Sequence, residues 1–275
     1  MLWQRVVTGT IGAAIALYAI QTGGWLYFGL ITILTLLGWR EFVRLMSHLH
    51  IPIPAVGGYI FLLIIMIFTW WKLYSGLFVV TSTLFVYYLS LLVFCHKKFM
   101  PTHLGITLMG LIYLGLGFST LLALRQDLLG YSLASLFSAN TDKSTFFVWL
   151  AFLPTWASDT FAYAVGKLFG RRKLCPIISP KKTREGTLGG LIGAIITAVA
   201  ISFVFHFSLI YGFLAGLVVG CCAPIGDLVE SVLKRWCGVK DSGMLLPGHG
   251  GVLDRFDSLL LVGPVILSYF IVISW

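Results

Sequence analysis

Five of the ten acidic residues in this 275-residue chain fall between positions 227 and 257. The first part of that region, residues 224–235, reads Pro-Ile-Gly-Asp-Leu-Val-Glu-Ser-Val-Leu-Lys-Arg. Its polar side chains recur at i, i+3, i+4 and i+7, so they form one polar stripe on an otherwise apolar helix: Asp227, Glu230, Ser231 and Lys234. Carboxylates in an apolar helix are costly and by default mark a functional site. With no His or Cys converging on them, they favour a hard cation such as Mg²⁺.

The second part, residues 240–257, reads Lys-Asp-Ser-Gly-Met-Leu-Leu-Pro-Gly-His-Gly-Gly-Val-Leu-Asp-Arg-Phe-Asp. Its glycines allow backbone N–H groups to converge on an anion, and His249 can donate to a phosphate or leaving-group oxygen. Asp254 and Asp257 are three residues apart, so they share a face if a helix begins there. These residue types predict phosphate chemistry.

A second polar loop carries seven Lys and Arg residues within residues 167–184. Such a cluster can anchor a membrane protein to anionic lipid, or it can bind phosphate groups. It is not a P-loop, because position 161 is Phe where that motif requires Gly. Just before it, Asp159 lies in an apolar run after Pro154, and such a carboxylate marks either a site or a buried pair with Lys or Tyr.

The composition shows which kind of fold must position these side chains. Hydrophobic residues make up 59% of the chain and charged residues only 11%, about half the charged fraction of a soluble domain. Spans of about 20 apolar residues are predicted at residues 6–21, 24–39, 55–71, 74–95, 104–124, 145–166, 188–208, 210–229 and 258–274. The predicted fold is therefore an all-α polytopic membrane protein with about nine transmembrane helices, some of them broken.

The chain is predicted to divide into N-terminal transmembrane helices at residues 1–140 and a catalytic transmembrane region at residues 141–275, with two cytoplasmic polar loops. The N-terminal part contains few polar groups. We expect Glu41 and Arg44, at i and i+3, to form an interfacial ion pair there. Function is therefore sought in the C-terminal part.

The distribution of positive charge predicts the orientation. If the N-terminus is cytoplasmic, sixteen of the nineteen Lys and Arg residues fall on the cytoplasmic side, and only Lys72, Arg125 and Lys143 fall on the other. Cytoplasmic loops carry such an excess. We therefore predict a multi-pass plasma-membrane protein with both polar loops, and the active site, facing the cytoplasm. The net charge of +9 then reflects orientation, and no nucleic-acid partner is expected.

Taken together, these stretches resemble a known family. The pattern over residues 231–257, from Ser231 through Lys240 to Asp257, resembles without a gap the signature of the phosphatidate cytidylyltransferases, which are the CDP-diacylglycerol synthases. The stretches at residues 158–166 and 179–186 are also similar to that family. The resemblance is strong over roughly residues 150–260, whereas the N-terminal half matches only as apolar spans.

The resemblance implies that CTP and phosphatidate react to give CDP-diacylglycerol and pyrophosphate, with Mg²⁺. It also allows a second cation such as K⁺. It implies Asp227 and Asp254 as metal ligands, with Asp257 and Glu230 next. The catalytic set is then Asp227, Asp254, Lys234, Arg235, His249 and Asp257. Substrate binding is assigned to Lys181, Lys182, Lys240, Arg255, Asp159, Tyr163 and Ser231, and the division of the basic residues between lipid and nucleotide stays open.

Charge and local spacing support this interpretation. The two substrates bring about six negative charges, which require metal and several Lys or Arg residues. Neither Ser231 nor Ser242 has a His at local spacing, so we expect direct attack by the lipid phosphate without a covalent enzyme intermediate. The alternatives are a CTP-dependent lipid kinase, a cytidylyltransferase for another lipid phosphate, and an anion transporter. Membrane lipids are expected partners, and a homodimer is possible.

Overall fold

The structure, a computed structural model, describes residues 2–126, 133–138, 142–243 and 250–275. Within those ranges the chain forms nine α-helices. They are α1 (Leu2–Thr22), α2 (Gly24–Ser47), α3 (Ala55–Trp70), α4 (Tyr74–Phe94), α5 (Pro101–Leu124), α6 (Lys143–Phe169), α7 (Arg184–Val204), α8 (Leu209–Trp236) and α9 (Leu253–Ile273). Each predicted span overlaps one of these helices, so the prediction of a helical fold is confirmed.

Six helices of the described chain are long and apolar enough to cross a membrane. They are α2, α5, α7, α8, α9 and the Ser75–Phe94 part of α4. The described apolar part of α1 and the whole of α3 are shorter, at Gly12–Thr22 and Ala55–Trp70. The chain is therefore an α-helical, multi-pass membrane protein. The total of nine spans and the cytoplasmic N-terminus stay predictions.

The prediction that some helices are broken is wrong for the three helices that contain an internal proline. In the structure α6, α8 and α9 continue through Pro154, Pro224 and Pro264. Proline removes one backbone donor from the helix, but packing against neighbouring helices allows membrane helices to keep their course. Asp159 and Asp227 therefore lie on continuous helices.

The chain divides into two compact units. Unit one comprises Met1–Ala123 and Trp236–Arg255, and unit two comprises Leu124–Arg235 and Phe256–Trp275. The boundary passes through the first turn of α9, so Asp254 belongs to unit one and Asp257 to unit two. The predicted division at residue 140 concerns function and not compactness, and it stays a prediction.

Glycines on α7 allow α6 and α7 of unit two to pack closely. A Cβ at Gly190 would lie 2.8 Å from the backbone oxygen of Ser158, and one at Gly186 would lie 2.7 Å from that of Ala162. Small residues allow two membrane helices to approach in this way. The contact holds Ser158 and Asp159 of α6 beside the start of α7.

The basic loop before α7 contains a short antiparallel sheet that sequence reasoning missed. Strand β1 (Lys173–Cys175) pairs with β2 (Ser179–Thr183). Thr183 also caps α7, because its hydroxyl accepts a hydrogen bond from the Gly186 N–H at 3.1 Å. Strand β2 therefore joins α7 without a linker, so Lys181 and Lys182 stand on ordered backbone.

In unit one, α2 is held by hydrogen bonds from its buried aromatic side chains. The Tyr27 hydroxyl donates to the Leu121 carbonyl oxygen at 3.0 Å, and the Trp39 indole N–H donates to the Ala55 oxygen at 2.9 Å. Buried aromatic residues usually satisfy their polar atom in this way. These bonds fix the rotation of α2 about its axis, and with it the direction in which Glu41 points.

Candidate active site

Unit two contains a cavity of about 330 Å³ between α6, the hairpin formed by β1 and β2, α7 and α8. Five residues assigned to the site from the sequence line it: Asp159, Tyr163, Lys181, Lys182 and Asp227. They come from three separate elements, at positions up to 68 apart in the chain. The fold therefore brings the acidic and the basic candidates of this unit to one place.

An ion pair between the hairpin and α8 forms one wall of this cavity. The Lys182 Nζ lies 2.7 Å from Asp227 Oδ2 and also donates to the Pro224 carbonyl oxygen at 3.5 Å. The side chains are 23% and 31% exposed, so solvent screens the pair only partly. The Ser231 hydroxyl donates to Asp227 Oδ1 at 3.3 Å. Both carboxylate oxygens of Asp227 are thus oriented.

Three carboxylates of unit two act on one another electrostatically. The negative charge of Asp227 repels those of Asp159 and Asp257, and the charge of Asp159 also repels that of Asp257. Gly226 permits this arrangement, because a Cβ there would lie 2.7 Å from the backbone oxygen of Asp257. Lys182 offsets part of the charge at Asp159, and Lys234 offsets part of that at Asp257. Carboxylate oxygens are the ligand type that a hard cation prefers.

The structure confirms that the polar side chains predicted to form a stripe on α8 lie on one face of that helix. Besides the bond from Ser231 to Asp227, Lys234 forms an ion pair with Glu230 one turn earlier. Glu230 is 1% exposed, so its charge is compensated inside the protein. Arg235 points to the hairpin instead, where its Nε donates to the Ile178 carbonyl oxygen at 3.4 Å.

Asp254, the other predicted metal ligand, lies in a hydrogen-bonded cluster of unit one. Its Oδ2 accepts from the Ser242 N–H at 2.9 Å, the Ser242 hydroxyl at 2.9 Å and the Gly251 N–H at 2.8 Å. The same Ser242 hydroxyl lies 3.3 Å from Oε2 of Glu41. A carboxylate of α2 thus contacts the acid-rich segment near the C-terminus.

The ion pair predicted between Glu41 and Arg44 is therefore wrong. The Glu41 carboxylate is buried and accepts the N–H groups of Val252 and Leu253, while Arg44 is exposed. Sequence reasoning placed Glu41 at the end of a span and gave it to the interface. The signal that could have found it is the one used for Asp159, a lone carboxylate in an apolar helix.

The remaining candidates lie at the surface of their units or outside the described ranges. Lys240 and Arg255 are exposed in unit one. Tyr163, at the cavity, has its ring 6.0 Å from the Lys167 Nζ. His249 lies outside the described residues. Among the residues that are described, no group of three or more His, Cys, Asp or Glu side chains stands in the arrangement of a metal site.

Comparison of the sequence with known proteins places the chain in a family. A sequence model described as "Cytidylyltransferase family" matches residues 3–273. A phosphatidate cytidylyltransferase of Staphylococcus haemolyticus (strain JCSC1435) is 35% identical over 267 residues, covering 95% of this chain and 96% of the relative. One of Staphylococcus aureus (strain COL) is 33% identical over 268 residues, with the same coverage of both chains. The family match extends through the N-terminal half as well as the C-terminal motifs, and the chain therefore belongs to the cytidylyltransferase family.

Proposed function

We propose that this protein transfers the cytidylyl group of CTP to phosphatidate, giving CDP-diacylglycerol and pyrophosphate for phospholipid synthesis. The observation that carries the proposal is the cavity of unit two, where Lys182 pairs with Asp227 and Asp159 lies beside them. Lysines can bind phosphates there, and carboxylates can bind the cation that accompanies them. Family membership and the name of the relatives support the same reaction.

The cavity has the size and charge that a phosphate-transfer site needs. Its volume of about 330 Å³ lies at the lower end of the range for ligand sites, about 300–1,000 Å³. Lys167, Lys181 and Lys182 line it, and the two substrates together bring about six negative charges. Basic side chains can hold the lipid phosphate against the nucleotide, since phosphoryl transfer depends on positioning and electrostatic stabilisation.

We further propose that Mg²⁺ is the metal. Mg²⁺ is usually held by one or two carboxylates, several waters and the substrate phosphates, so a site in this chain does not need three protein ligands. The carboxylates of Asp227 and Asp254 offer oxygen ligands, which suit it, and both stay predicted ligands, with Asp257 next. When bound, Mg²⁺ would neutralise phosphate charge. A second cation such as K⁺ also stays a prediction.

In the proposed reaction a phosphatidate oxygen attacks the α-phosphorus of CTP. The new bond forms as the bond from the α-phosphorus to the bridging oxygen of the β-phosphate breaks, and pyrophosphate leaves with that oxygen. Lys182 would hold a phosphate near Asp227, while Lys181 and Lys167 would bind the others. No protein nucleophile takes part.

The proposed place of this reaction is the cytoplasmic side of the plasma membrane. Sixteen of the nineteen Lys and Arg residues fall on the side of the two polar loops if the N-terminus is inside. The soluble substrate CTP is present on that side, and phosphatidate is a membrane lipid. A homodimer also stays a prediction, and the proposed reaction does not require it.

The test is an assay of the purified protein in detergent with CTP, phosphatidate and Mg²⁺. We expect equal amounts of pyrophosphate and CDP-diacylglycerol, whereas a lipid kinase would release CDP and a transporter would leave CTP intact. Asp227→Asn and Asp254→Asn should each abolish turnover, because an amide keeps the shape but loses the charge that a hard ion needs. Asp142→Asn, at the start of α6, is the matched control and should keep activity. Full activity of either site variant would remove that residue from the site.

A further inference from the structure

Glu41 binds the start of helix α9 although more than 200 positions separate them in the chain. Its Oε1 accepts the Val252 N–H at 2.9 Å, and its Oε2 accepts the Leu253 N–H at 2.9 Å. Helix α9 begins at Leu253, and the first N–H groups of a helix have no partner within it. A side chain of α2 therefore provides the cap that α9 lacks in its own sequence.

The glycines around this carboxylate are explained by its approach. A Cβ at Gly251 would clash with both Glu41 oxygens, and one at Gly243 would lie 2.7 Å from Oε1. Gly250 has a positive φ of 82°, which other residues rarely adopt. The Gly-Gly pair in the motif therefore makes room for Glu41 and turns the chain into α9.

Burial makes these contacts essential to the position of Glu41. The residue is 7% exposed, and a buried carboxylate is stable only when hydrogen bonds or opposite charges compensate it. Backbone N–H groups at a helix N-terminus supply this compensation, together with the positive end of the helix dipole. The bonds therefore hold residues 252 and 253 where the carboxylate lies.

Ser242 connects Glu41 to Asp254. Its hydroxyl lies 3.3 Å from Glu41 Oε2 and 2.9 Å from Asp254 Oδ2, and it has a single proton to donate. The Gly251 N–H, next to the two that Glu41 accepts, donates to Asp254 Oδ2 at 2.8 Å. Three successive N–H groups thus divide between the two carboxylates, and moving one would move the other.

We propose that Glu41 is a positioning residue that orients the Asp254 carboxylate for metal and substrate binding. The inference rests on the proposed function, in which Asp254 is a ligand of Mg²⁺. Glu41 itself touches neither metal nor substrate in this role. It acts through the Ser242 hydroxyl and the backbone of residues 251–253, so the N-terminal helices contribute directly to the geometry of the C-terminal motif.

The experiment compares Glu41→Gln and Glu41→Asp with Arg44→Gln, a matched control on the same helix. In Glu41→Gln an amide NH₂ must face one of two backbone donors, so we expect the Val252 and Leu253 amides to exchange with deuterium about 10-fold faster or more. At the same time the Mg²⁺ concentration for half-maximal activity should rise, or the turnover per folded molecule should fall, by about 10- to 100-fold. Glu41→Asp keeps the charge and should recover part of both effects, whereas Arg44→Gln should change neither.

Two results would overturn the proposal. One is unchanged amide exchange in Glu41→Gln, since the bonds to α9 would then not exist in solution. The other is faster exchange with unaltered Mg²⁺ dependence and unaltered turnover per folded molecule, which would make the role purely structural. Glu41→Asp provides the same readings if Glu41→Gln does not accumulate. If the wild-type protein made no CDP-diacylglycerol, the proposed function would fail, while amide exchange would still test the contact.

Discussion

Replacing Lys182 by Met tests the charge balance of the cavity directly. Met keeps an unbranched apolar stem but removes the ammonium group that lies 2.7 Å from Asp227 Oδ2. The Asp227 carboxylate then loses its ion-pair partner while the charges of Asp159 and Asp257 continue to act around it. We expect Lys182→Met to destabilise the protein and to make its stability strongly dependent on Mg²⁺.

The size of the effect follows from the partial burial of the pair. Exposed ion pairs contribute about 0–1 kcal/mol, and removing one partner of a buried pair costs about 3–5 kcal/mol. The two side chains are 23% and 31% exposed, which places the pair between these limits, so we expect a loss of about 2 kcal/mol. For a chain of this size that loss lowers Tm by about 4–8 °C.

The assay is thermal unfolding in detergent, followed by the fluorescence of the nine Trp residues. Without divalent cations Lys182→Met should show the lowered Tm, and Mg²⁺ should recover more of it than it adds to the wild type. Asp227→Asn in the same chain should restore much of the stability by removing the unpaired charge. Lys181→Met is the matched control. It removes the same charge from an exposed neighbour and should change stability by about 0.5 kcal/mol or less.

A wild-type Tm for Lys182→Met without Mg²⁺ would refute this reasoning, because the ion pair would then contribute nothing. Equal losses in Lys182→Met and Lys181→Met would refute it as well, since the effect would reflect net charge and not the specific contact. Additive effects of Lys182→Met and Asp227→Asn would show that the two side chains do not interact.

Three further predictions concern orientation, reaction order and pH. In a thiol-free background, Ile177→Cys on the exposed hairpin turn should react with a membrane-impermeant reagent only from the cytoplasmic side and Lys72→Cys only from outside, and labelling from the same side would refute the topology. Without phosphatidate, labelled pyrophosphate should not enter CTP, whereas rapid exchange would indicate a covalent cytidylyl intermediate. Burial tends to raise the pKa of Asp142, but hydrogen bonds from Thr145 and Ser144 and the charge of Arg125 leave it lowered. Because the folded pKa is lowered, its stabilisation is present at neutral pH and is lost as pH falls through the folded value. Asp142→Asn should therefore lose this acid dependence, and an unchanged pH profile of Tm would contradict the assignment.

Local sequence patterns were sufficient to predict the helical framework. Each predicted span overlaps a helix of the described chain, because the length of an apolar run and the charges at its ends determine a membrane helix without reference to distant residues. The stripe on α8 was predictable for the same reason, since Asp227 and Ser231 meet through the helical repeat alone. The hairpin was missed, because β2 contains proline and two lysines, which are poor strand formers.

Contacts between distant residues were not predictable in this way. Composition and motif resemblance indicated carboxylates, lysines and phosphate chemistry, but the choice of partner depends on which helices pack together. Lys182 could have paired with any acid of the two polar loops, and the approach of the hairpin to α8 made Asp227 its partner. Glu41 looked like half of a local ion pair, and the contacts of α2 with Ser242, Val252 and Leu253 made it the cap of α9. The sequence by itself determined which chemical groups are present and on which helices they lie. Only the tertiary structure decided which of them meet, because burial removes water as the competing partner and leaves each charged group dependent on the nearest donor that the fold provides.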